Sequence, residues 1–151
     1  MKLYFTGVKT MSKSLFWKKL EQLDFEAVKN ELLFTGFSIQ EIEKSIDYYK
    51  LFLYIKFINP GIRLVPPPIV DCTWHTHIMV DLCQYVKDSE YLFGYLLNHC
   101  SALNCTEDNQ ETLETAFRKT KAYFKELGVD FLEQEYTYSH IACVDLPLSF
   151  S

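Results

Sequence analysis

The residues best equipped for chemistry lie in one stretch, Val70-Asp71-Cys72-Thr73-Trp74-His75-Thr76-His77-Ile78. Two of the chain's four histidines stand there one residue apart, with a carboxylate four positions before the first and a tryptophan against it. A third histidine, His99, follows about one helix-turn-helix later. Histidine and aspartate are the usual nitrogen and oxygen ligands of divalent transition metals, zinc above all. On a helix Asp71 and His75 fall one turn apart on the same face. That pair has two physical readings. Both side chains bind one ion, or Asp71 accepts a hydrogen bond from His75 and orients it. His77 lies about 200° around the helix axis from His75. Either the helix is distorted here or only one of the two is a ligand, and then His75 is favoured. His99 supplies a further donor from the end of the following helix. His140 is a more distant contributor with no local support.

Other chemistries lack their signatures. The chain has no HExxH, GxSxG, Walker loop or GxGxxG. No nucleotide cofactor is therefore expected, and a metalloprotease lacks its motif. Cys72 and His75 match a nucleophile–base pair in composition only. Cys100 and Cys105 sit near His99 as soft donors, although buried structural thiols are the commoner outcome.

The elements that must hold these residues read as helices. Leu15, Phe16, Leu20 and Leu23 form an apolar stripe on a first helix, about 12–24, and a second runs from Phe25 to Phe34 and ends near Gly36. Ser38-Ile39-Gln40-Glu41 is a capping box, with Phe37 and Ile42 at the staple positions. That helix is expected to reach Ile58 and stop before Pro60-Gly61. Pro66 to Pro68 forbid helix through the connector 61–68, and Pro68 then starts the next helix. It is expected to continue toward Lys87, with a new cap at Asp88-Ser89 and a further helix to Asn98 containing Gly94. Asp108 with Glu111 starts a last amphipathic helix, whose apolar side is Leu113, Phe117, Ala122, Tyr123 and Leu127, ended by Gly128. The segment 136–140 shows too little periodicity to assign, and the tail 145–151 reads as irregular. The expected fold is all-α, a single orthogonal bundle of five to seven helices spanning 1–151, with a core at about 38–100 and a C-terminal helix and tail at 106–151.

Composition narrows the function classes. The chain has 151 residues, 48% apolar and 23% charged, with a net charge of −5. This length and apolar share fit one globular domain. The aromatic share of 16%, with twelve Phe and ten Tyr, points to an aromatic core. The acidic balance disfavours nucleic acid, and the lysines at 9–19 and 119–125 read as solvated helix faces. Five cysteines without a CxxC argue for a reducing compartment. The N-terminus lacks a signal-peptide pattern. The apolar run 48–58 holds Lys50 and Lys56 and is about half a membrane span. A cytoplasmic location follows as the expectation, in the producing cell or in one to which the protein is delivered, with no membrane insertion.

The central region resembles the glycine-rich domain-containing-protein-like family. The resemblance rests on Pro66-Pro67-Pro68-Ile69-Val70-Asp71-Cys72-Thr73-Trp74-His75-Thr76-His77-Ile78, then Tyr85, then Phe93-Gly94-Tyr95-Leu96-Leu97-Asn98-His99, with Tyr48 to Leu53 similar to the preceding helix. It covers about residues 40–100. Asn98 stands where members often carry the first of two histidines, and the glycine-rich region is missing. The resemblance implies a compact helical core and one spatial cluster of Asp71, Trp74, His75, His77 and His99, supported by Tyr85. It implies no reaction. Three functions follow as alternatives: a small helical domain with a zinc-like site of His75, His77, His99 and Asp71; a metal-free protein-interaction module, as in a bacterial effector or assembly component; and a metal-dependent hydrolase.

Overall fold

The computed structural model describes residues 11–99 and 110–131, without the side chains of 110–113. Six helices account for most of it: α1 (Lys13–Glu21), α2 (Glu26–Phe34), α3 (Ile39–Ile58), α4 (Pro68–Val80), α5 (Leu82–Phe93) and α6 (Gln110–Glu126). No strand occurs among the described residues. The all-α expectation holds, with a helix number inside the expected range.

Local chemistry explains most of the boundaries. At α3 the capping box forms in both directions: the Glu41 amide donates to Ser38 Oγ at 3.2 Å, and the Ser38 amide donates to the Glu41 carboxylate at 2.8 Å. These bonds hold the Glu41 carboxyl below the usual range. Asn59 closes the helix through its own side chain, which donates to the Ile55 carbonyl at 3.0 Å. Pro68 opens α4, as its fixed φ and missing N–H suit a first turn.

The expected helix from Pro68 to Lys87 is two helices. The break comes at Asp81, an extended residue whose carboxylate accepts from the Gln84 amide at 3.0 Å and starts α5. Asp88 and Ser89 are therefore not a cap. They lie inside α5 and are buried. Nor is Gly94 inside a helix: it ends α5 in the left-handed region, at φ 78°. Two expected apolar stripes also shift. Leu15 is exposed while Phe16 and Leu20 are buried, and α6 buries Ala116, Thr120 and Phe124 while Ala122 and Leu127 face outward. The expected cap at Asp108–Glu111, the side chain of Leu113 and the segments 136–140 and 145–151 lie outside the described residues.

The core is aromatic and centred on α3, which packs most heavily on α4. Tyr49, Phe52 and Ile55 of α3 are fully enclosed. From α4 come Val70, Thr73, Trp74 and His77, a stripe at helical spacing that turns Trp74 and His77 into the core. The connector before α4 is tied to α6, where Thr120 Oγ1 accepts from the Val65 amide at 3.0 Å. The entry angle of α4 is thus fixed from the far end of the chain.

Candidate metal site

Helix α4 sends its histidines to two different places. Asp71 and His75, one turn apart, lie on a half-buried face. His99 reaches them from the segment after α5. His99 Nε2 is 2.9 Å from Asp71 Oδ1 and 3.1 Å from His75 Nε2, and His75 Nε2 is 3.6 Å from Asp71 Oδ2. The three residues each offer one donor atom, all within 4.8 Å of one another. A tetrahedral ion with nitrogen and oxygen ligands at about 2.0–2.1 Å holds neighbouring donors about 3.3–3.4 Å apart, so the two contacts of His99 are a few tenths of an ångström tighter than such an edge and the contact of His75 with the second Asp71 oxygen slightly wider. The donor set, two imidazoles and one carboxylate, is one that zinc and other first-row ions accept.

Without an ion the same atoms need a proton among them. A neutral imidazole nitrogen carries either a hydrogen or a lone pair. His99 Nε2 faces a carboxylate oxygen and another ring nitrogen, so it is the donor, and His75 Nε2 accepts. Burial pushes His75 below the ordinary imidazole value; the Asp71 carboxylate opposes that shift and His99 adds to it. A neutral His75 keeps a lone pair free for coordination.

His77 does not join this cluster. It points into the core, where its ring packs edge-on to Phe25, Tyr49 and Tyr85. Nδ1 is 2.9 Å from the Tyr49 hydroxyl and Nε2 is 2.9 Å from Asp88 Oδ2. The other Asp88 oxygen accepts from Gln84 Nε2 at 2.8 Å. Burial drives the Tyr49 phenol far up, so its O–H is the donor to Nδ1, and Nε2–H then donates to Asp88. Burial also lowers His77, outweighing the bond to Asp88. The straight-helix geometry, with His77 turned well away from His75, is the one realised.

That neutral, enclosed imidazole has a consequence for acid stability. The unfolded chain binds a proton near the ordinary imidazole value of about 6.5, whereas the folded chain does not until a lower pH. Stability from this site is therefore full above about pH 6.5 and is lost as pH falls toward the folded value. Urea midpoints measured at pH 7.5 and 5.0 are expected to drop in the wild type. The drop is expected to be smaller in His77→Gln, and equal slopes for the two proteins would refute the assignment.

Trp74 joins the two arrays. Its indole lies flat on His99, with centroids 3.9 Å apart and planes 10° from parallel. Its Nε1–H donates to the Tyr85 hydroxyl at 2.9 Å, and that hydroxyl donates to the Leu97 carbonyl at 2.6 Å.

Sequence reasoning missed Tyr49, Asp88 and Ser89. Tyr49 gave no local signal, being 28 positions from its partner. Asp88 did give one. With Tyr85, Ser89 and Leu92 it occupies the buried stripe of α5, and a carboxylate in a core stripe asks for a buried donor. Cys72 is half-buried and Cys83 exposed. Cys100, Cys105, Cys143 and His140 lie outside the described residues.

A scan against protein-family models finds no match for the chain, and searches of curated proteins and of solved structures find none either. No helix among the described residues is long and apolar enough to cross a membrane.

Proposed function

We propose that this protein is a small helical metal-binding protein, with one divalent transition ion, zinc foremost, held by Asp71, His75 and His99. The observation that carries this reading is the convergence of the three side chains: His99 Nε2 is 2.9 Å from Asp71 Oδ1 and 3.1 Å from His75 Nε2, and one donor atom of each residue lies within 4.8 Å of the other two. Two further features support it. The carboxylate is the one anion in the cluster, so a dication there leaves a net charge of +1 rather than a buried excess. The site is also reachable: the His75 side chain is 26% exposed, against 6% for His77. A water-derived ligand on the ion is the chemistry this exposure admits, since a bound dication lowers the pKa of its water. No substrate is assigned. The resemblance of about residues 40–100 to the glycine-rich domain-containing-protein-like family implies one cluster of Asp71, Trp74, His75, His77 and His99, of which His77 lies apart with Tyr49 and Asp88, and it supplies no reaction.

Elemental analysis of protein purified without a histidine tag or added metal tests the reading. About one zinc, iron or manganese per chain is expected, and none in His75→Ala. Added zinc at a thousandfold excess over its dissociation constant is expected to stabilise the wild type by about 4 kcal/mol, because the ion binds only the folded chain. Absence of metal, with none recovered on adding zinc and no shift in melting temperature, would refute the site. The metal-free interaction module would then be the reading to pursue.

A further inference from the structure

The segment carrying His99 is not helical, so something other than a helix must hold its imidazole against α4. Gly94 turns the chain back, and Ser89 and Tyr85 then catch it in succession. Ser89 Oγ donates to the Tyr95 carbonyl at 3.2 Å and accepts from the Leu97 amide. The Tyr85 hydroxyl donates to the Leu97 carbonyl and accepts from Trp74. Both hydroxyl-bearing residues are buried: Tyr85 is 4% and Ser89 4% exposed. Leu97, whose two backbone groups they hold, is itself buried at 6%. Two residues later the ring of His99 lies flat on Trp74, the same indole that Tyr85 fixes. The side chains that hold the return segment, Trp74 on α4 and Tyr85 and Ser89 on α5, register it against both helices at once.

We infer that Tyr85, with Ser89 and Trp74, is a positioning clasp that places His99 Nε2 opposite Asp71 and His75 and thereby sets the affinity and geometry of the metal site. The inference rests on the proposed metal reading and deepens it by naming what controls that site. None of the three residues touches the ion. Tyr85 acts through two bonds that converge on His99 from different sides: one orients the indole under the ring, the other fixes the backbone that carries it. Residues of this kind, behind the ligands, typically contribute ten- to hundredfold to metal affinity.

The test titrates the full chain with Co²⁺ and reads both the affinity and the d–d absorption spectrum, which reports coordination geometry. Tyr85→Phe keeps the ring packed on His77 and removes only the hydroxyl. It is expected to weaken Co²⁺ binding ten- to hundredfold and to alter the spectrum, with 1:1 stoichiometry retained at high metal. Ser89→Ala is a second variant with the same expected direction, should Tyr85→Phe fold poorly. Phe124→Leu is the control: its ring contacts are Tyr48 and Phe131, so it lowers melting temperature while leaving affinity and spectrum unchanged. Wild-type affinity and an identical spectrum in Tyr85→Phe and Ser89→Ala would overturn the clasp while leaving the metal site standing. Loss of affinity in Phe124→Leu equal to that in Tyr85→Phe would overturn it too, because general destabilisation would then explain both. Failure of the wild type to bind Co²⁺ would overturn the metal reading and the clasp together.

Discussion

Replacing Trp74 with alanine is expected to cost about 3–5 kcal/mol of folding stability, the range for emptying a buried aromatic site. The indole is 3% exposed and touches Tyr49, Phe52 and His99. Its loss also strips the Tyr85 hydroxyl of its donor. Domains of this size are stable by only about 5–15 kcal/mol in total. Trp74→Ala therefore removes about a fifth of the margin at the least and most of it at the worst, a melting drop of about 6–20 °C. Urea unfolding followed by circular dichroism reads the first effect. The second effect is on the cluster: without the platform under His99, metal content is expected to fall well below one per chain even where the variant is folded. A loss under about 1.5 kcal/mol, with full metal content, would show that Trp74 is neither a core pillar nor a platform.

The two histidines of the Trp-His-Thr-His segment are expected to fail in opposite ways. His75→Ala removes a partly exposed ring that meets Asp71 and His99. With chelator present, so that both proteins are metal-free, its stability cost is expected to stay at about 1 kcal/mol or less, as for other partly exposed ion-pair partners, while the capacity to bind metal is lost. His77→Ala instead leaves the Tyr49 hydroxyl and one oxygen of Asp88 unpaired in the core. Orphaning buried polar and charged groups costs about 3 kcal/mol or more. The metal content of the folded fraction is expected to be unchanged. Paired measurement of unfolding free energy and metal stoichiometry on both variants decides the matter. Identical phenotypes would mean that the segment is one site, or none.

The parts of this fold that could be read in advance are those where chemistry is local. Ser38 with Glu41 and Pro68 mark helix starts because cap and proline act within four residues of themselves. Asp71 and His75 share a face because helical spacing alone puts them there. The break at Asp81 was hidden: no glycine or proline marks it, and Met79-Val80 read as continuing helix. With no break expected at Asp81, Asp88 and Ser89 read as a cap, whereas they are a buried acid and a buried hydroxyl that bonds the backbone of Tyr95 and Leu97. The fate of His77 depended on Tyr49 and Asp88, on two other helices, and only their packing against α4 reveals it. The segment's spacing already said that His75 and His77 diverge; it could not say what each would meet.

His75 and His99 are 24 positions apart, and their ring nitrogens touch. An ion bridging them would close α4, α5 and the return segment into a covalent-coordinate ring. A cross-link of that span removes about 3.5 kcal/mol worth of freedom from the unfolded chain on the loop-closure scale used for disulfides. The metal would then be a removable staple. Chelation would unpin the ring, and protease cutting between α4 and α5 would leave the two halves joined for as long as the ion stayed bound.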